Sequence, residues 1–379
     1  IYGDLKVALA QLGMDLDQLL AGMGENGAMI QATLQGISGK TLDTAYTEQG
    51  KNYGTNKAVE LFADGTYKLA KNLNLTVGIR GTYENQETGY SSTTVPSMFG
   101  AVLYHPTEGG AKVTAKDSYW SWVGRAAINY MIGRNNIYAR VSRGRRPGVL
   151  YFNNDPKDFE TLKPEIIYSY EAGVKGSLMQ GRLNYDFCAY YYDWYNYQTS
   201  VFNATTSKYE YDDAGRAHSF GLEASLSYSP CRYLNIFGNW SHIEGKFNDK
   251  DENGNPQRYA GNRFRLTPKN SFAIGFDLNV PTSQNASLYF RPTYSWKSKV
   301  FFEESNEPEL TQDAYGLLNF TAGYRFQPGK VYYEIGAFGK NILDEKYVVD
   351  AGNSGRQIGF PTYVGGTRSV IGMMFKIGF

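Results

Sequence analysis

Residues 286–300 read ASLYFRPTYSWKSKV. Leu288, Phe290, Pro292, Tyr294 and Trp296 share one parity; Ser287, Tyr289, Arg291, Thr293, Ser295 and Lys297 share the other. Successive side chains of a strand point to opposite faces, so a period of two gives one apolar and one polar face. The split recurs along the chain. Leu73, Leu75, Val77 and Ile79 oppose Asn74, Thr76, Gly78 and Arg80; Phe220, Leu222, Ala224, Leu226 and Tyr228 oppose Gly221, Glu223, Ser225 and Ser227. Leu318, Phe320, Ala322, Tyr324 and Phe326 oppose Asn319, Thr321, Gly323 and Arg325.

Thirteen such segments are predicted, at 56–69, 73–87, 118–132, 136–145, 165–178, 182–198, 215–229, 233–246, 264–279, 286–301, 313–326, 331–344 and 366–379. In their central parts the apolar parity carries no Lys, Arg, Asp or Glu. The opposite parity carries Glu60, Asp64, Arg80, Arg125, Arg140, Glu171, Lys175, Arg182, Asp186, Glu223, Asp277, Arg291, Arg325, Glu334 and Lys376. A soluble sandwich also alternates. It does not need large aromatics on one parity and charge on the other in strand after strand. A bilayer does, because a charge facing lipid at its midplane costs about 2–4 kcal/mol, while a wide barrel tolerates a polar interior.

The composition agrees. A net charge of +1 over 379 residues offers no basic stripe, so no nucleic-acid partner is expected. With 42% hydrophobic and 15% aromatic residues, including 32 Tyr and 21 Phe, the chain is not disordered. Mean hydropathy is −0.46, and no apolar run approaches the roughly 18 residues of a membrane helix. Alternating barrel strands average to such a value. Three scattered histidines and no converging acid or nucleophile set argue against an enzyme.

Connections alternate in length. Short turns are expected near 70–72, 133–135, 179–181, 230–232, 281–285 and 327–330, where Gly, Pro and Asn favour reversals. Long loops are expected near 88–117, 146–163, 199–214, 247–263, 302–312 and 345–365. Short periplasmic turns and long extracellular loops are the outer-membrane pattern. The fold expected is an all-β transmembrane antiparallel barrel, partial, with 13–14 strands. Single-chain bacterial barrels have even strand numbers, so a further strand is sought in residues 1–55, around 29–37. Leu5, Leu9, Leu12, Leu16 and Leu19 follow helical spacing, and Asp4 is a candidate N-cap. Residues 1–55 are therefore expected to form an extracellular-loop segment with a short helix over Asp4–Met23, and 56–379 the barrel strands. Ile1 is not an initiator Met and no signal peptide precedes it, so the chain is expected to start inside a longer precursor. Cys188 and Cys231 fall far apart along the wall, and no bridge is expected.

Specific residues add a resemblance. Leu162-Lys163-Pro164-Glu165, leading into Tyr168, Tyr170-Glu171, Gly173 and Lys175, resembles the L-K-P-E … Y-E-x-G-x-K stretch of TonB-dependent outer-membrane receptors. Phe62 through Arg80 is similar to their F-x-x-x-x-Y … L-x-L-x-x-G-x-R hairpin, and Asn341-Ile342-Leu343-Asp344-Glu345-Lys346-Tyr347 to their N-L-x-D-x-x-Y. Arg143-Gly144-Arg145-Arg146-Pro147 resembles R-G-x-R-x-P, one residue shorter before the Pro. Phe379 matches a closing aromatic. The resemblance implies a 22-stranded barrel in the Gram-negative outer membrane with a plugged lumen. It also implies import of a scarce bulky ligand, most often a ferric siderophore, driven through TonB. Plug, TonB box and the first strands are absent from the chain, so contact with the TonB complex would run through a plug domain outside it. Other partners implied are outer-membrane lipid and lipopolysaccharide, the barrel-assembly machinery and a small-molecule chelate. The rivals are a passive channel of about 14 strands and an envelope scaffold for a partner protein.

Candidate site residues follow. Arg143, Arg145 and Arg146 lie where a strand enters a long loop, and guanidinium groups match carboxylate and catecholate oxygens. A cluster facing the vestibule would suit an anionic chelate; rim ion pairs or lipopolysaccharide phosphate contacts are the plainer alternatives. Tyr192 and Trp194 fall on the inner parity, where they could stack on a ligand, while the odd-numbered tyrosines of 190–197 form a girdle. His105, beside Tyr104 in the loop 88–117, is a candidate axial ligand, with a loop histidine that binds nothing as the plainer alternative; haem receptors of this family carry their His between the two mid-barrel motifs, where this chain has none. His218 and His242 read as wall residues. Asp249-Lys250-Asp251-Glu252-Asn253-Gly254 begins like a calcium loop, but its twelfth position is Ala260. No metal site and no resident cofactor is expected; a ferric chelate would be cargo. Phe375, Ile377 and Phe379 form a candidate barrel-assembly signal.

Overall fold

The computed structural model describes residues 2–36, 49–93, 104–203, 208–352 and 361–379. Thirteen strands form one sheet in which sequence neighbours pair. They are β1 (Gly50–Ala70), β2 (Leu73–Ser92), β3 (Val113–Ile132), β4 (Asn135–Arg146), β5 (Glu165–Leu178), β6 (Leu183–Tyr195) and β7 (Ala217–Cys231). Then come β8 (Leu234–Phe247), β9 (Asn270–Ser283), β10 (Ala286–Lys297), β11 (Tyr315–Phe326), β12 (Tyr332–Lys340) and β13 (Val370–Gly378). The registers recorded for β3 through β13 are antiparallel. All thirteen predicted segments overlap an observed strand.

The register confirms the alternation. Leu288 faces Val280 and Tyr324, and Phe290 faces Leu278 and Ala322, so apolar residues meet apolar residues across the sheet. That face is open: Met373 is 82% exposed, and Trp120, Ile274, Leu288 and Ile371 are exposed as well. An apolar band this extensive requires lipid. The opposite face carries ion pairs between strands: Arg80–Glu60 at 3.2 Å, Arg125–Asp64 at 2.9 Å, Arg291–Asp277 at 2.9 Å and Arg140–Glu171. Glu334 takes Arg325 at 3.2 Å and Lys376 at 3.7 Å. The pairs of Arg80, Arg125 and Arg291 are half-exposed on both sides, and such pairs are worth about 0–1 kcal/mol each. They leave the polar face nearly neutral rather than holding the sheet together.

Several strand ends differ from expectation: β1 and β3 start earlier and β2 ends later than expected, and two others are cut short by turns in the backbone. β9 begins at Asn270 instead of 264, because Leu266 adopts φ 54° and breaks extended geometry. β12 ends at Lys340 instead of 344, because Asn341 and Asp344 turn the chain at φ 47° and 54°. The short connections fall where predicted, and Gly133 and Gly329 supply positive φ (61° and 74°) in two of them. Cys188 and Cys231 are unbridged. Cys188 pairs with Glu223, eight residues from Cys231 along β7, about 26 Å at strand rise.

The chain divides into two compact units, 54–87 with 115–151 and 160–379, and 1–53 with 88–114 and 152–159. The second differs from expectation. The leucine stripe is not one helix: α1 (Tyr2–Gln11) and α2 (Leu16–Gly22) are separated at Gly13, φ 74°, and the N-cap is Asp15, whose carboxylate accepts from the Asp17 and Gln18 amides. Asp4 lies inside α1. The strand sought around 29–37 is instead α3 (Gly24–Gly36) over its described part; Ile37 lies outside the described residues. Ala, Met, Gln and Leu favour helix there. Helix α3 crosses α2 closely, since a Cβ on Gly27 would overlap the Leu20 carbonyl.

Candidate functional site

A hollow of 620 Å³ opens on the polar face of the sheet, lined on one side by Tyr138, Glu171, Asp186, Tyr190, Tyr192 and Glu223 and on the other by Ser241, Ser271, Ser295 and Lys297. Every one of these lies on a parity that alternation assigns to the inside. Tyr192 stacks on Tyr190 with ring centroids 4.6 Å apart. Glu171 is occupied by Arg140, and Asp186 sits opposite Lys175. Hydroxyls, carboxylates and stacked phenols therefore line the surface; it offers hydrogen bonds and ring faces rather than a cationic cradle.

The long connections at the other end of the strands lock together. Val201, Ala214, Ala217, Phe247, Tyr259 and Phe264 form a buried cluster with Trp194 and Tyr197 packed against it. Burial pushes the Tyr197 and Tyr259 hydroxyls up to about 12. A second cluster joins Val300, Phe302, Leu310 and Ala351. Between them, Thr199 donates to the buried Glu304 carboxylate at 2.7 Å, Asn262 donates to the Glu304 carbonyl at 2.8 Å, and the Arg263 amide donates to Asn306 at 2.8 Å.

The predicted residues do not converge on one site, although Tyr192 and Trp194 meet edge to face at 5.5 Å. Trp194 belongs to the loop cluster, edge-on to Phe264 at 5.4 Å, so only Tyr192 of that pair reaches the hollow. Tyr197, expected in the girdle, stacks on Phe264 instead. The three arginines part company. Arg143 lies over Trp122 and Tyr168, at 4.3 and 5.9 Å from their ring centroids. Arg145 pairs with Glu84 at 2.8 Å, the two side chains only 9% and 6% exposed. Arg146 is 56% exposed, 3.6 Å from Glu165 and 3.2 Å from the Gln198 carbonyl. A vestibule cluster of three guanidinium groups is thus replaced by one aromatic clamp, one buried ion pair and one rim residue. β4 stays paired with β5 as far as Arg146, while its pairing with β3 ends at Arg143.

In the smaller unit, His105 stands 3.7 Å from Asp155, and its amide donates to the Asn154 carbonyl at 2.8 Å. The carbonyls of Tyr104 and His105 accept from Ser92 and Tyr90 at 3.4 and 2.8 Å. These contacts fix the turn. Among the described residues no cluster of three or more metal-ligating side chains occurs. The Asp251 carboxylate is taken by the Asn253 and Asn255 amides at 2.8 Å each, and the Asn255 bonds hold it below the usual carboxylate range.

Gln198 and Arg368, which sequence reasoning did not single out, carry part of the geometry, and Asn341 and Asp344 of the quoted motif carry more. Gln198 staples two quoted motifs: its amide nitrogen donates to the Pro147 and Lys163 carbonyls at 2.9 Å each, and its backbone N–H to Glu165 at 2.9 Å. Asn341, buried, donates to the Glu345 and Thr367 carbonyls at 2.9 and 3.0 Å and accepts from the Glu345 amide. The Arg368 guanidinium bonded to Asp344 holds that carboxyl well below its ordinary value.

The family model described as "TonB dependent receptor-like, beta-barrel" matches residues 6–342. The chain belongs to that family. Its solved relatives include the ferric yersiniabactin uptake receptor FyuA from Yersinia pestis, with TM-score 0.72 and 16% identity over 89% of this chain and 48% of that one. They also include the siderophore receptor PiuA from Acinetobacter baumannii (TM-score 0.62, 16% identity, 86% of this chain and 44% of that one). A third is the closed form of the ferric-catecholate import receptor Fiu from Escherichia coli K12 (TM-score 0.60, 17% identity, 86% and 45%). The chain therefore spans about half the length of the solved receptors it matches. A TonB-dependent receptor barrel is an outer-membrane protein of a Gram-negative bacterium, and the exposed apolar band is the surface that location demands.

Proposed function

We propose that the chain forms part of the wall and extracellular rim of a receptor, not an enzyme, that imports a bulky ferric siderophore through TonB-coupled energy. The observation that carries this reading is the two-faced sheet of a TonB-receptor family member: lipid-facing aromatics outside, and a hydrogen-bonding hollow with stacked tyrosines inside. Similarity to a ferric yersiniabactin uptake receptor and a ferric-catecholate import receptor supports the ligand class. In this reading residues 2–36 belong to an extracellular loop segment, and a plug domain encoded outside this chain contacts TonB. Phe375, Ile377 and Phe379 share the lipid-facing parity of β13, which suits recognition by the barrel-assembly machinery.

The test is iron-55 uptake by iron-starved cells carrying or lacking the complete gene, across a panel of ferric siderophores. One siderophore should lose its uptake on deletion, and its uptake should stop when the proton motive force is dissipated. Uptake that survives dissipation would overturn TonB coupling. Unchanged uptake of every siderophore in the panel would overturn the ligand class.

A further inference from the structure

The polar face of the sheet changes sign between mid-wall and the short-turn end. At mid-wall the hollow beside Tyr192 carries Glu171, Asp186 and Glu223. Arg140 answers the first, Lys175 faces the second, and Glu223 takes part in no ion pair among the described residues. A second hollow, of 590 Å³, opens at the short-turn end and is lined by Arg232, Arg325, Asn279, Asn285, Gln327 and Tyr332 among others, with no carboxylate in its lining. We propose that this second hollow is an exit subsite for an anionic chelate: it receives carboxylate or catecholate oxygens of the cargo at the periplasmic mouth. The proposal rests on the import reading above and adds the charge of the cargo to it.

The register fixes the side. Ser287 lies opposite Arg325, and Asn279 lies opposite Tyr289. All four continue the polar parity of their strands, so the hollow faces the lumen. Short turns are the periplasmic end of an outer-membrane barrel, and cargo leaving the lumen passes them.

Positive charge there exceeds its counter-charge. Arg325 and Lys376 share one carboxylate, Glu334, at 3.2 and 3.7 Å. Tyr289 donates to that carboxylate at 2.7 Å and Tyr332 donates to it as well, so Glu334 is held in the wall. Arg232 lies over the Tyr233 ring, 4.6 Å from its centroid, and takes part in no ion pair among the described residues. The other short turns add Lys71, Arg134 and Lys330, all exposed, and none of these turns contains Asp or Glu. A cleft lined by one sign of charge with low-dielectric walls focuses its potential into the space it encloses. An anion at mid-wall therefore meets a balanced to negative surface, and at the short-turn end a positive one with amide and hydroxyl donors. Guanidinium groups hold paired anionic oxygens through their planar fork; a neutral complex gains nothing from it. The gradient runs toward the periplasm, the direction of import, and it favours an anionic cargo.

The experiment uses the full receptor, plug included, purified in mild detergent. The probes are gallium tris-catecholate, a redox-inert trianion, and gallium tris-acetohydroxamate, its neutral counterpart. Equilibrium dialysis should show a site for the trianion that weakens at least tenfold in Arg232→Gln and in Gln284→Glu, the second setting a carboxylate in the lining of the hollow. Binding of the neutral complex should not change. Both variants should keep the heat-dependent gel shift of a folded barrel; should one fail to fold, the other decides. In iron-starved cells, the siderophore whose uptake depends on the receptor should bind to energy-depleted variant cells as to wild type, while its energised uptake slows at least threefold. No trianion bound by the wild type, wild-type binding in a folded variant, equal weakening of the neutral complex, or unslowed uptake would each overturn the exit subsite and leave the import reading standing. Absence of any receptor-dependent siderophore uptake would overturn the import reading, and the exit role with it.

Discussion

Arg145 and Glu84 illustrate what a single residue in this wall can cost. Taking both charges out of water is tolerated only because each supplies the other's counter-ion at 2.8 Å. Removing one leaves an uncompensated buried charge. Arg145→Ala should therefore destabilise the receptor by about 3–5 kcal/mol, read as a shift in the urea unfolding midpoint in micelles. Adding Glu84→Ala should restore much of the loss, because a neutral pair strands nothing; a double variant as unstable as the single one would show that packing, not charge, is what Arg145 supplies. This pairing was not legible in the sequence. Its partners lie 61 positions apart, and alternation along β4 assigns Arg145 to the same side as Arg143. What could be read was that the Arg143–Arg146 run sits where a strand becomes a loop. What separates the three side chains is the partner each meets on a neighbouring strand: Trp122 and Tyr168, Glu84, and Glu165. Gln198 escaped notice for a similar reason: its role is to hold the Pro147 and Lys163 carbonyls, and backbone acceptors leave no mark in a composition or a motif.

At the scale of elements, the strands were readable because a period of two is local and each face meets one solvent, lipid or lumen. Their ends were less so. Leu266 and Asn341 leave extended geometry at positive φ, and the loops then pull Phe264 and the 341–345 turn into tertiary contacts that no window of sequence contains. The rim clusters carry a prediction of their own. Phe247 is 1% exposed and touches Tyr197, Tyr259 and Phe264. Truncating a buried Phe typically costs about 3–5 kcal/mol, and here the loss falls on the loops, since the wall is held by its own ladder of backbone hydrogen bonds. Phe247→Ala should speed protease cleavage within 248–269 and 198–213 severalfold while the heat-dependent gel shift persists. Loss of that shift would mean that the loop cluster supports the barrel itself. The helical segment was misread at its break because the leucine spacing runs through Gly13 without interruption, and only the backbone conformation there separates α1 from α2.

For the whole molecule, the alternation told outside from inside and located the chain in a membrane, but it said nothing of ligand identity, which resides in loop surfaces with no period. It also left the wall unfinished. Strand β1 is exposed along nearly all of its 21 residues, and the order of the sheet runs from β1 to β13 without joining them. Closure by a fourteenth strand from residues 1–55 is not what the described part of that segment offers, since residues 2–36 hold three helices and 50–55 already belong to β1. Two long open edges inside hydrocarbon would leave rows of N–H and C=O groups unsatisfied, each costing several kcal/mol. Edges of that length also template pairing with other chains. Residues 1–379 refolded alone in detergent should therefore elute as heterogeneous oligomers in size-exclusion chromatography and give no defined single-channel conductance in planar bilayers. Co-refolding with the remaining barrel strands of the receptor should convert them to one monomeric species with a heat-dependent gel shift. A monodisperse, heat-shifting monomer of residues 1–379 with a steady conductance would instead mean that this chain closes its own wall, and the reading of it as part of a larger TonB-coupled receptor would fall with that result.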